Sequence, residues 1–303
     1  MSIETTNPAN PNSDARLRGF DSLPTLPVVA MQIGEVVHSK NASVQRVADV
    51  LRGDPATSAK LLRLVNSPYF GIPGGVSDVA RAIPFVGFNT LYQLVLSISV
   101  LETLKVGSNG LDPRALWTHS LSVAVAAREL AQEVRFNDPG ACFTAGLLHD
   151  MGKIALAKID GAKLDAVMKS VRDEHMSMDD AEKKHGLAPH DKVGSRLAKQ
   201  WKFPASLATP IEQHHSVHKV EIRERLAPSL RSITEIVAAA DHLSRMCVEP
   251  FTTAAVGGEE DGDQEAAEMF ARNGFTDDRR QQLCDRTKQA LERSKVFLAL
   301  LEA

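Results

Sequence analysis

Apolar side chains recur along the chain at helical rather than alternating spacing, and short runs of Pro, Gly, Asp and Asn cut them into blocks. Pro27 can occupy a helix first turn, and Val28, Val29, Met31, Ile33 and Val36 then fall on recurring helical faces. Ser43 precedes a second helix carrying Val44, Val47 and Leu51. Asp54-Pro55 reads as an N-cap followed by a first-turn proline. Leu61, Leu62, Leu64 and Val65 give that third helix a wide apolar face, which Asn66-Ser67-Pro68 ends. Ser77 is placed to cap a helix bearing Val79, Ala82 and Ile83, and a longer helix is expected from Asn89 through Leu104.

Downstream the blocks lengthen. Asp112-Pro113 opens a helix to about Glu133, and Asp138-Pro139 opens another that contains Ala145, Leu147, Leu148, Ile154 and Leu156. Further helices are expected in the charged stretch between Lys158 and Gly186, from His190 to Trp201, and around Ile236 to Leu243. A last amphipathic helix carries Leu283, Ala290, Leu291, Phe297 and Leu300, a stripe suited to docking on its own domain. Period-2 stretches are hard to find, so the expected fold class is all-α.

Composition narrows the function. Lys plus Arg total 35 against 38 Asp plus Glu, a formal charge of −3, which supplies no basic surplus for gripping phosphate backbones; nucleic acid is not an expected partner. The longest apolar run, Leu94 to Leu101, falls well short of the roughly 20 residues a spanning helix needs, so no membrane insertion is expected. The first residues, MSIETTNPANPNSD, lack the basic start and apolar core of a signal peptide and read as a disordered tail. Cys142, Cys247 and Cys284 are odd in number and far apart, which argues against a disulfide framework and for a reducing, cytoplasmic setting. Cys142, beside Phe143, reads as a core residue. The stretch GGEEDGDQEAAE has six acidic and no basic residues and reads as a solvated linker.

The chemistry concentrates in one ordered series: His119, His149-Asp150, His190, His214-His215 and Asp241. Imidazole and carboxylate are the ligand set of a divalent transition-metal centre. His149 and Asp150 lie inside GLLHDMGK, read as a helical stretch, where adjacent residues diverge by about 100°, so they address two ions or bridge them more readily than they chelate one. Lys153 shares their helical face, within reach of an anion bound there. Two ions about 3.5–4 Å apart suit in-line attack on a phosphoester. The alternative is a buried polar cluster in which Asp150 and Asp241 accept hydrogen bonds from imidazole N–H groups. Arg63 and Asn66, in LLRLVNS, fit a packing and capping role.

The order H…HD…H…HH…D, with Gly152-Lys153 after the HD pair, resembles the HD superfamily of metal-dependent phosphohydrolases and, among catalytic branches, the HD-GYP phosphodiesterases. LPTLPVVAMQI, DPATSAKLLRLVNSPYFG, AIPFVGFNTL, LWTHSL, AGLLHDMGKIAL, HDKVGSRLAKQWKFP and IEQHH resemble, in order, the HDOD domain of bacterial signalling proteins, over about Leu23 to His215. That resemblance implies a helical N-terminal HDOD part packed on an HD-type helical domain. It also implies a regulatory protein working through protein partners, with a metal site often degraded in relatives. By the same resemblance, His119, His149, Asp150, His190, His214, His215 and Asp241 match metal ligands for two ions of Fe, Mn or Zn, Asp150 would bridge them, and Lys153 matches a substrate lysine. Asp150 and Lys153 would be catalytic in an active phosphohydrolase; a nucleotide second messenger bound without hydrolysis is a further reading. Ala115 stands where trinuclear relatives carry a glutamate, and SVHKVEIRERLAP follows His215 in place of a GYP signature, so cyclic-di-GMP specificity does not transfer. The expected organisation is a tail at 1–19, the N-terminal helical part at 20–110, the HD-type domain at 111–250, and an acidic linker with a terminal helix at 251–303.

Overall fold

The N-caps set the helix starts. In the computed structural model, which describes residues 19–104, 111–247, 270–271 and 274–301, Ser43, Asp54, Asp112 and Asp138 each accept a hydrogen bond from a first-turn N–H. Such caps are worth about 1 kcal/mol each. The helices are α1 (Val28–Val37), α2 (Val44–Arg52), α3 (Pro55–Val65), α4 (Val79–Val86), α5 (Phe88–Thr103), α6 (Pro113–Glu133) and α7 (Pro139–Leu148). They continue as α8 (Met151–Glu174), α9 (Met178–Lys184), α10 (His190–Gln200), α11 (Ala205–Gln213), α12 (Val220–Arg225), α13 (Pro228–Cys247) and α14 (Asp277–Leu301). Among the described residues there is no strand, and the fold is all-α. No single described helix is long and apolar enough to cross a membrane.

Two expectations shift on inspection. The cap of α4 is Asp78, which accepts from Ala80 N at 2.7 Å, one residue beyond the predicted Ser77. The helix expected to run from Pro139 through Leu156 is two helices, α7 and α8, because Asp150 leaves helical geometry at φ −97° and ψ 13°. The predicted tail, apart from Gly19, and the acidic stretch at 257–268 lie outside the described residues, as does the side chain of Leu300.

Helix α5 is buried from Leu91 through Val100 and packs on α1, α3 and α4 as well as on α7. An all-round apolar helix belongs inside a fold, and α5 is the element that ties the N-terminal helices to the following bundle. Helix α6 lies at the centre of that bundle, against α7, α13 and α14. Gly146 lets α7 lie close on α6, since a Cβ there would stand 2.9 Å from Ala124 Cα. Asn66, the C-cap of α3, holds the loop that follows by bonding both Val76 N and Val76 O.

Helix α14 docks on its own chain. Phe297 meets Phe143 of α7 at 5.3 Å between ring centroids and Tyr69 at 6.0 Å, and the Arg128 guanidinium lies 4.4 Å from the Tyr69 ring. Arg279 and Arg286 of α14 bond Glu133 of α6 at 2.6 and 2.7 Å. Cys247, at the end of α13, is disulfide-bonded to Cys284 of α14, with Cα atoms 5.3 Å apart. This corrects the expectation of unpaired cysteines: 37 residues separate the two in sequence, and only the return of α14 onto α13 makes them neighbours. Cys142 is a buried free thiol, as read.

Candidate metal centre

The residues of the ordered series reach one place from five elements: α6, the junction of α7 and α8, α10, the end of α11, and α13. His119 comes from the second turn of α6, His149 caps the end of α7, and Asp150 occupies the break before α8. Lys153 lies in the first turn of α8, His190 is the first residue of α10, His214 and His215 follow α11, and Asp241 lies on α13. All but His215 are at most 5% exposed, and His215 is half-buried.

Asp150 is the hub. Its Oδ2 stands 3.4 Å from His149 Nε2 and 3.7 Å from His119 Nε2; its Oδ1 stands 3.5 Å from His190 Nε2 and 3.8 Å from His214 Nε2. Two ligand groups follow, one of His119, His149 and Asp150, the other of Asp150, His190, His214 and His215, each with its donor atoms within 4.8 Å of one another. Asp241 joins the first group, Oδ1 at 3.2 Å from His119 Nε2. Contrary to the divergence expected of a continuous helix, His149 and Asp150 thus converge on one point; the break at Asp150 turns its carboxylate back toward the ring that precedes it.

The far nitrogens of the rings explain why the near ones point inward. His149 Nδ1 donates to Gly146 O at 2.7 Å, His214 Nδ1 to Pro210 O at 3.0 Å, and His190 Nδ1 to Glu182 Oε1 at 2.8 Å. Carbonyl and carboxylate oxygens accept, so these rings carry their proton on Nδ1 when neutral and turn their Nε2 lone pairs inward, that of His190 also bonded to His215 Nε2 at 3.0 Å. Burial pushes His119 below its ordinary value despite the pull of Asp241, and burial, with His215 and His149 adding to it, pushes His214 well below. Burial would raise the Asp150 carboxyl, but His149 and Lys153 outweigh it and hold it well below the usual range; Arg245 and His119 do the same for Asp241.

The centre therefore sets acceptor against acceptor. Asp150 Oδ1 and His214 Nε2 are both buried and form no hydrogen bond. The Nδ1 protons of His149, His190 and His214 are turned outward, which leaves Asp150 Oδ1 and His214 Nε2 facing each other without a donor between them. Convergent carboxylate oxygens and imidazole lone pairs, with the far nitrogens anchored, fit a divalent cation. His190 Nε2 and His215 Nε2, 3.0 Å apart, have the separation of two nitrogens each about 2.1 Å from one ion at a right angle.

Lys153 is buried, with Nζ 2.8 Å from Asp150 Oδ2. Four contributors were missed. Glu182 is buried and also accepts from His190 N at 3.0 Å, but in sequence it sits beside Lys183 and Lys184 like any solvated charge run. Arg245 Nη1 bonds Asp241 Oδ2 at 2.9 Å, and the four-residue spacing of that ion pair was a usable signal. Gly152 and Gly194 let α8 and α10 touch backbone to backbone, which no residue type announces alone.

The chain belongs to the HDOD domain family, whose pattern matches residues 23–217. An uncharacterized protein of Treponema pallidum (strain Nichols) is 23% identical over 202 residues, 65% of this chain but 38% of that one, so the chain spans well under half of this relative's length. A protein from Shewanella amazonensis SB2B, provisionally called a phosphohydrolase, has a similar crystal structure, with TM-score 0.72 and 23% identity over 95% of this chain and 98% of that one. A protein from Marinobacter aquaeolei VT8, provisionally called a signal transduction protein, follows with TM-score 0.69 and 19% identity over 94% and 62% of the two chains. At these identities the likeness establishes the fold.

Proposed function

We propose that this chain is a regulatory HDOD protein of bacterial signal transduction, acting through protein contacts, whose HD-type cluster binds divalent metal. The carrying observation is the buried, unpartnered pair Asp150 Oδ1 and His214 Nε2, two acceptors facing each other at 3.8 Å. His119, His149, Asp241 and Asp150 Oδ2 would hold one ion; His190, His214, His215 and Asp150 Oδ1 would hold the other, with Asp150 between them. Fe, Mn and Zn all suit such nitrogen and carboxylate donors. Two features favour regulation over turnover: the ligands are almost wholly buried, and the Lys153 ammonium is spent on Asp150 rather than offered to a substrate. The signal-transduction designation of the Marinobacter neighbour agrees with this reading.

The test is metal content by plasma mass spectrometry on protein purified without chelator or a His-tag, beside Asp150→Ala. Bound Fe, Mn or Zn in the wild type that is lost in the variant supports the reading; a wild type that stays empty after incubation with each metal refutes it. A second reading, a phosphohydrolase, draws on the complete ligand set and on the Shewanella neighbour's designation. Bound metal would there supply Lewis-acid charge and an activated water. Phosphoester turnover with Mn²⁺ above the Asp150→Ala background would support it over the first.

A further inference from the structure

Charge is distributed unevenly over the two halves of the centre. Lys153 Nζ, at 2.8 Å, is bonded to Asp150 Oδ2, the oxygen that faces His119 and His149. Arg245 Nη1, at 2.9 Å, is bonded to Asp241 Oδ2, in the same half. The other half has the opposite bias: Asp150 Oδ1 forms no hydrogen bond, and the carboxylate of Glu182 stands behind His190 at 2.8 Å. Among the described residues, one half thus holds two cations against its carboxylates, and the other holds an additional anion.

We propose that the two halves are unequal cation sites, with Lys153 serving as a built-in cation on one of them. A divalent ion settles first among Asp150 Oδ1, His190, His214 and His215. The set of His119, His149, Asp241 and Asp150 Oδ2 takes a second ion only when Lys153 withdraws from Asp150, because an ammonium and a divalent ion cannot share that oxygen without strong repulsion. Lys153 is on this view a positioning and gating residue that decides between one ion and two. The inference rests on the metal-binding reading above and adds the order of filling.

The experiment is an Mn²⁺ titration of the full chain, followed by equilibrium dialysis and electron paramagnetic resonance, on wild type, Lys153→Met, His149→Ala and His214→Ala. Wild type is expected to hold one ion roughly 100-fold more tightly than a second, with the spectrum of an isolated Mn²⁺. His214→Ala should lose that tight ion and His149→Ala should keep it. Lys153→Met should take two ions of similar affinity and show a spin-coupled pair. Should Lys153→Met fail to fold, the two histidine variants decide alone. Two equal ions in wild type, or equal loss of the tight ion in both histidine variants, overturns the unequal sites while leaving metal binding intact. No Mn²⁺, Fe²⁺ or Zn²⁺ bound by wild type overturns the metal reading and this inference with it.

Discussion

Replacing Gly152 by alanine tests whether the backbone contact between α8 and α10 sets the width of the centre. A Cβ at position 152 would stand 1.8 Å from His190 O, 2.7 Å from His190 C and 2.8 Å from Gly194 N. Ordinary contact begins at 3.4 Å, so the helices must part by about 1.6 Å (3.4 minus 1.8), and the atoms in the way are main chain that cannot rotate aside. Overpacking of a tight interior costs typically 1–3 kcal/mol, and the immobility of the obstacle puts this case at about 3 kcal/mol. The displaced residue is His190 itself, while metal sites tolerate ligand shifts of roughly 0.2 Å. Gly152→Ala should therefore lower the urea midpoint and abolish metal uptake by the His190, His214 and His215 group, even in protein that remains folded. Urea denaturation with a Zn²⁺ or Mn²⁺ titration reads both. A variant within about 0.5 kcal/mol of wild type that binds metal normally would refute the argument that this contact sets the geometry.

Three further outcomes are expected. His119 and His214 have folded values below the ordinary histidine value of about 6.5, so below that pH the unfolded chain takes up protons the folded one refuses. Stability of the metal-free protein should fall on acidification, by up to about 2.7 kcal/mol per pH unit for the pair; an unchanged urea midpoint between about pH 7.5 and about pH 5.5 would contradict this. Glu182→Gln removes the anion behind His190 and should weaken metal binding about 10–100-fold with little change in far-ultraviolet circular dichroism; calorimetric titration reads the difference. Opening the Cys247–Cys284 bond frees a loop of 37 residues, for which chain entropy gives about 4 kcal/mol, and Cys284→Ser should show that loss in urea under non-reducing conditions.

The helical class, most helix starts and the membership of the centre were legible because each rests on local chemistry. Asp54, Asp112 and Asp138 announce caps through the proline that follows them, and the seven clustered residues announce themselves by residue type and order. What escaped reading depends on three-dimensional return. The break at Asp150 lies inside an apolar helical pattern with no Gly or Pro at the break itself, so periodicity ran through it. The pairing of Cys247 with Cys284 required the path of α14, and the employment of Lys153 on Asp150 required knowing that the first turn of α8 is buried.

The three anchored imidazoles differ in how exposed they are to mutational drift. Gly146 O and Pro210 O are main-chain groups, and no substitution deletes them while the helices persist. His190 leans instead on the side chain of Glu182, which one codon change can remove. A lineage giving up its metal could therefore lose the His190 half first, with every ligand still written in the sequence. Among such descendants an intact count of histidines and aspartates overstates metal competence, and the residue at the position of Glu182 is the more telling one to inspect.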